Sequence, residues 1–188
     1  VGAVEEIERA RAKLGRDFTT IFDLCSNVDT RVVNKRTLEG LVLAGAMDSM
    51  EGHRAQNFAA IEQALEYGHK VKHAKDSFEN SLFGDAGEAF IVEEPALEEV
   101  DQWKDKELLA RERQVLGFYL SKHPLREYEV EYKSFATVHL GEPDTFASEE
   151  VESVRACGVV TDLRTKIDRS GRVMAFFKLD DLSGSRSE

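Results

Sequence analysis

Three patterns in this sequence predict a mainly α fold that ends in a β-hairpin. Short apolar stripes at helical spacing, broken by small residues, fill positions 1 to 50. Longer stripes follow from Arg54 to about Lys75 and from Asp105 to Ser121. Near the end, β-rich runs from Val154 to Leu163 and from Val173 to Leu179 flank Asp168-Arg169-Ser170-Gly171-Arg172, a turn sequence.

The first helix is carried by Val4, Ile7, Ala10 and Leu14, with Gly15 as its stop. After a turn at Arg16-Asp17, Ile21 to Cys25 predicts a second, and Asn34 is a suitable cap for a third bearing Leu38, Leu41 and Val42. Leu43 to Asp48 then breaks the pattern. Phe58, Ile61, Leu65 and Val71 make one stripe, which Gly68 weakens as an uninterrupted helix.

Residues 77 to 105 read as a linker. They hold nine acidic residues and one basic, so eight of the chain's eleven net negative charges lie there, and such a composition buries too little apolar area to offset chain entropy. The helix from Asp105 presents Leu108, Leu109, Val115, Leu116, Tyr119 and Leu120 on one face and is expected to end at His123-Pro124. Residues 126 to 150 are poorly patterned.

With 41% hydrophobic and 32% charged residues the chain is that of a soluble globular protein, and no apolar run approaches the roughly 18 residues a membrane helix needs. Cys25 and Cys157 lack CxxC partners, which removes support for a disulfide framework or a zinc ribbon and points to a reducing cytoplasm. Val1 at the start and Ser185-Arg186-Ser187-Glu188 after a turn signal make both ends look internal.

Small-residue turns between short helices can aim several backbone N–H groups at one phosphate oxygen. Gly2 and the corner Leu43 to Asp48, with Ala44, Gly45 and Ala46, fit that description, and Arg31, Lys35 and Arg36 add positive charge nearby. Helix-hairpin-helix elements bind duplex backbone in this way; the alternative for Gly45 is a simple helix C-cap. A second candidate is Ser77-Phe78-Glu79-Asn80-Ser81-Leu82-Phe83-Gly84, where large apolar side chains stand outside any amphipathic period. Leu82 and Phe83 can anchor in a partner's pocket or fold back onto the neighbouring helix.

The third candidate is the hairpin loop, where Arg164, Lys166, Arg169, Arg172 and Lys178 face one Asp168 and precede Phe176 and Phe177. Basic residues interleaved with strand aromatics suit single-stranded nucleic acid, although adjacent phenylalanines point to opposite faces, so one stacks while the other packs inside. The alternative is an ordinary solvated hairpin. His69 and His73 have no third ligand placed by sequence and three lysines around them, and the adjacent Asp180 and Asp181 read as the turn after a strand. No nucleophile and base pair, P-loop or dinucleotide fingerprint is present, so neither a catalytic residue nor a cofactor or metal site is expected.

Three blocks carry a resemblance. They are Val32 to Asp48 (VVNKRTLEGLVLAGAMD), Ser81-Leu82-Phe83-Gly84, and Glu107 to Leu125 (ELLARE to VLGFYLSKHPL). In this order they resemble the bacterial DNA polymerase III alpha subunit, along nearly the whole chain.

The resemblance implies a tandem helix-hairpin-helix DNA-binding region at 1 to 50, cut near Gly2 with its second hairpin at Leu43 to Asp48. It implies the remainder of a clamp-binding region at 51 to 149 and the first strands of a truncated OB barrel from about 150 to 188, mobile unless it packs elsewhere. The sliding clamp would be held by Glu79, Ser81, Leu82 and Phe83, with Glu79 where the family commonly has Gln. Other replicase subunits would associate through the parent chain, whose Mg2+-dependent nucleotidyl transfer has no counterpart here. On this reading the segment grips duplex DNA and tethers the clamp in the bacterial cytoplasm; the rival is a structural connector with little binding of its own.

Overall fold

The apolar spacing of the first fifty residues becomes three helices: α1 (Gly2–Leu14), α2 (Ile21–Asn27) and α3 (Lys35–Leu43). The computed structural model describes residues 2–80, 92–141, 153–182 and 186–187. Two caps fix where α2 and α3 begin. Thr20 accepts from the amide of Asp23, and Asn34 accepts from the amide of Thr37, each satisfying a donor with no partner inside its helix. Ile21, Phe22, Leu24, Cys25, Val33, Leu38 and Val42 are buried almost completely and form the centre of the core.

The stripe from Arg54 to Lys75 divides into α4 (Arg54–Ala59) and α5 (Ile61–Asn80), with His53 and Gln56 forming a reciprocal capping box at the start of α4. Gly68 does not interrupt α5. A Cβ there would stand 2.3 Å from the carbonyl oxygen of Cys25, so the missing side chain is what lets α5 press against α2. Ile61 and Ala64 complete that contact from α5.

Residues 92–104 of the expected linker 77–105 form no helix or strand and hold no fully buried residue, and a few contacts tie them to the helices. Tyr67 donates to the carbonyl of Val92, and Gln56 donates to that of Glu98. Leu97 packs over Gly52, where a Cβ would meet it at 2.5 Å. Trp103 lies edge-on to Phe58 at 5.6 Å and under the guanidinium of Arg111 at 4.2 Å. Composition averaged over the stretch hid these anchors, which are a few large, half-buried side chains.

Arg111 belongs to α6 (Asp105–Leu116), which ends earlier than His123-Pro124 because Gly117 takes a left-handed φ of 81° and donates to the carbonyl of Arg113. Arg54 and Glu112 join α4 to α6 at 3.1 Å.

The chain forms two compact units, 1–120 and 121–188. In the second, a 3-10 turn (Pro124–Tyr128) leads into α7 (Glu129–Phe135), where the sequence was poorly patterned. An antiparallel sheet follows in the order β1 (Val159–Ile167), β2 (Val173–Asp180) and β3 (Arg186–Ser187). Asp162 and Leu163 together oppose Phe177, a bulge in which Asp162 adopts a φ of 51°. The hairpin is held within its unit by Asp181, which is fully buried and accepts from the hydroxyl of Tyr132 at 3.1 Å and the amide of Leu140 at 2.8 Å. No helix among the described residues is long and apolar enough to cross a membrane.

Candidate nucleic-acid interface

The turn between α2 and α3 is organised by one residue. The carbonyl of Asp29 accepts from the amides of Val32 and Val33, both at 2.9 Å. Its carboxylate accepts from the amide of Arg31 at 3.1 Å and from the Arg31 guanidinium at 3.2 and 3.0 Å. The Arg31 hydrogen bonds hold the Asp29 carboxyl well below the usual range, at about 2.

Val33 is buried under the turn, while Asn34, Lys35 and Arg36 are exposed at the start of α3. The first amides of a helix have no intrahelical acceptor and carry the positive end of its dipole, so this corner presents donors and Arg36 to solvent. Lys35 is engaged with Glu62 at 2.6 Å.

α1 brings a second helix start to the same place. A Cβ on Gly2 would lie 3.9 Å from Cγ1 of Val32, and the carboxylate of Glu6 accepts from the amide of Asp29 at 2.8 Å. The start of α1 therefore meets the α2–α3 turn, which carries Arg31 and leads into Lys35 and Arg36 at the start of α3.

The other expected corner is corrected. The amides of Ala44, Gly45 and Ala46 already donate to the carbonyls of Gly40, Val42 and Leu41, and that of Asp48 donates to Gly45. Gly45 has a φ of 77°, and the Arg54 guanidinium occupies the space where its Cβ would be, paired with Asp48 at 2.6 Å. Leu43 to Asp48 is the C-terminal cap of α3, and the amides of Ala44, Gly45, Ala46 and Asp48 are engaged within it. Asn34 at the N-cap of α3 is the sequence signal for the turn at Asp29 to Val33 that precedes it.

Glu79 lies in the last turn of α5, and Ser81, Leu82 and Phe83 fall outside the described residues. In the second unit, Arg164 and Lys166 on β1, Lys178 on β2, and both phenylalanines line a groove of about 860 Å³. Arg169 is exposed at the turn, and Arg172 pairs with Asp168 at 3.0 Å. The Asp168 carboxyl is held below its ordinary value, first by the amide of Arg172.

Phe176 is 55% exposed and Phe177 47%, so the expectation that one packs inside is corrected. Val160, Leu163, Ile167, Val173 and Met174 are exposed as well, and among the described residues neither face of the outer hairpin carries a covering layer to receive a ring. Arg164 is the cross-strand partner of Phe176, which puts the two on one face.

His69 lies 3.5 Å from the hydroxyl of Thr30, and His73 lies 3.3 Å from that of Ser77. Among the described residues no three His, Cys, Asp or Glu side chains are grouped to hold a metal. The Cys25 thiol is buried in the core, and that burial pushes its pKa up to about 12.

Residues 1–57 match the helix-hairpin-helix motif family, and the match takes in α1, α2, the α2–α3 turn, α3 and the first turn of α4. Over 97% of its length the chain is 37% identical to the DNA polymerase III subunit alpha of Neisseria meningitidis serogroup B. It is 33% identical, over the same share, to that of Vibrio cholerae serotype O1, and 34% identical over 98% to that of Halalkalibacterium halodurans. The chain spans about 15% of the length of these relatives. With a helix-hairpin-helix motif match at its start and this likeness running almost end to end, the chain is similar along nearly its whole length to one stretch of DNA polymerase III alpha subunits.

Proposed function

We propose that this segment grips the backbone of duplex DNA without reading its sequence, on the corner formed by Gly2, Arg31, Lys35 and Arg36. The observation that carries this reading is the meeting of two helix starts, at Gly2 and beside Val32, inside the region that matches the helix-hairpin-helix family. Amides and cations at such a corner contact phosphate oxygens, which are the same for every base pair. Affinity should therefore be equal for two duplexes of unrelated sequence and should fall steeply as salt rises. Discrimination between the two duplexes, or no binding at low salt, contradicts the reading.

In the full-length protein this grip would serve a DNA-directed DNA polymerase, as the relatives' name states of them. The Mg2+ chemistry of nucleotidyl transfer would be carried by residues elsewhere in that protein. The proposed setting is the bacterial cytoplasm, at the replication fork with the other replicase subunits. Docking of Glu79, Ser81, Leu82 and Phe83 on a sliding clamp would raise the local concentration of polymerase at the primer end and support processive replication. Support for this comes from the order of the three sequence blocks. Converting Leu82 and Phe83 together to Ala should abolish clamp binding while leaving the melting temperature in place, and unchanged clamp affinity contradicts it.

The β1–β2 hairpin would be the start of an OB barrel, with Arg164, Lys166, Arg169 and Arg172 contacting a single strand and Phe176 stacking on a base. A connector role is favoured by a different observation, the anchoring of residues 92–104 through Leu97 and Trp103, which gives the segment a rigid frame independent of any ligand. The duplex titration separates the two, because a connector alone shows no salt-dependent affinity.

A further inference from the structure

Basic character continues past the matched motif onto α5. Between Tyr67 and Lys75 this helix carries His69, Lys70, Lys72, His73 and Lys75 and no acidic residue, in a chain whose formal charge is −11. Two contacts place this stretch against the α2–α3 turn: the His69 ring is 3.5 Å from the Thr30 hydroxyl, and the Lys72 ammonium is 4.0 Å from Oδ1 of Asp29. Thr30 and Asp29 both belong to the turn that leads into the exposed start of α3.

Asp29 does not neutralise Lys72. Its carboxylate is already engaged by the amide and the guanidinium of Arg31, Lys72 stands at the outer limit of an ion pair, and the Lys72 side chain is 49% exposed. Lys75, one helical turn further on, lies on the same side of α5 and is also exposed. Lys70, two residues before Lys72, is about 200° around the helix and points away from it.

We propose that Lys72 and Lys75 of α5 extend the duplex-binding corner, so that the DNA backbone runs from the α2–α3 turn along this helix. The proposal rests on the duplex-binding reading and adds a phosphate-contacting surface outside residues 1–57. Each lysine that displaces a counterion from the duplex contributes about 0.9 to the slope of log affinity against log salt.

Duplex binding by the full chain as a function of salt tests this, with three variants beside the wild type. Replacing Lys72 and Lys75 together by Gln should lower the slope by about 2 and weaken binding equally for unrelated sequences. Lys70→Gln, which removes charge from the far side, should leave the slope unchanged, and replacing Lys72 and Lys75 by Arg should restore it. These lysines are exposed, so the melting temperature should stay constant across the set. A wild-type slope in the double Gln variant, or an equal loss from Lys70→Gln, overturns the proposal while leaving duplex binding by the turn intact. A wild-type chain that does not bind duplex at low salt overturns both.

Discussion

Arg54 reaches across from α4 to place its guanidinium 3.1 Å from the carboxylate of Glu112 on α6, whose side chain is 0% exposed. The same guanidinium holds Asp48 at 2.6 Å beside the cap of α3, so one cation ties together three parts of the unit that carries the corner. The Asp48 hydrogen bonds, followed by the Glu112 pair, keep Arg54 charged above its ordinary pKa.

Removing one member of this group should cost more than removing its charge pattern altogether. Glu112→Ala leaves a largely buried guanidinium short of a partner, and a loss of about 3–5 kcal/mol is expected. Replacing Arg54 and Glu112 together by Met should cost less than the single change. Urea denaturation of the three proteins measures the difference, and a loss in the double Met variant larger than that in Glu112→Ala would contradict this expectation.

Two glycines should respond in opposite directions. Gly68→Ala drives a methyl group into the Cys25 carbonyl at 2.3 Å and should destabilise by about 1–3 kcal/mol. Gly40→Ala, inside α3 with nothing within 4 Å of the new Cβ, should stabilise by up to about 1 kcal/mol. Thermal melts read both, and a loss at Gly40 matching that at Gly68 would contradict the packing described for α5.

Cys25 should be silent to thiol reagents in the native protein at pH 8. Burial in the core pushes its pKa up to about 12, so almost no thiolate forms and none is reachable, whereas Cys157 is only half-buried. Mass spectrometry after a short labelling pulse should find one modified cysteine per chain, and two after denaturation. Native labelling at Cys25 would mean that the core opens readily.

Acid should weaken the α1–α2 junction through Asp23. Burial pushes this carboxyl up, but the Arg16 guanidinium and the Thr19 amide outweigh it, and its pKa lies below the ordinary carboxylate value. The stability Asp23 contributes is present above that ordinary value, about 3.9, and is lost as pH falls through its depressed folded value. Stability curves of wild type and Asp23→Asn should therefore lie apart at neutral pH and converge in acid; parallel curves through that range would show that Asp23 makes no such contribution.

Local signals gave most of the helices directly. Val4, Ile7, Ala10 and Leu14 set α1, Asn34 caps α3, and the β-branched runs about Asp168 become β1 and β2, because each depends on neighbours within a few residues. What sequence concealed depends on distant partners. Gly68 looked like a break because the Cys25 carbonyl it accommodates lies 43 positions away, and the linker composition gave no sign of Leu97 because its seat at Gly52 lies 45 positions away. Leu43 to Asp48 invited a phosphate-binding reading for a related reason: Gly45 resembles a phosphate-binding glycine until the donors of its own turn and the incoming Arg54 are seen.

The turn ahead of Asn34 and the capped end of α3 carry opposite expectations for duplex binding. Duplex binding by the full chain, titrated by fluorescence anisotropy across a range of salt, should weaken in Arg36→Glu with a slope reduced by at least about 1, and should be untouched in Ala46→Glu at the capped end of α3. The opposite ranking, with Ala46→Glu damaging and Arg36→Glu harmless, would contradict these expectations.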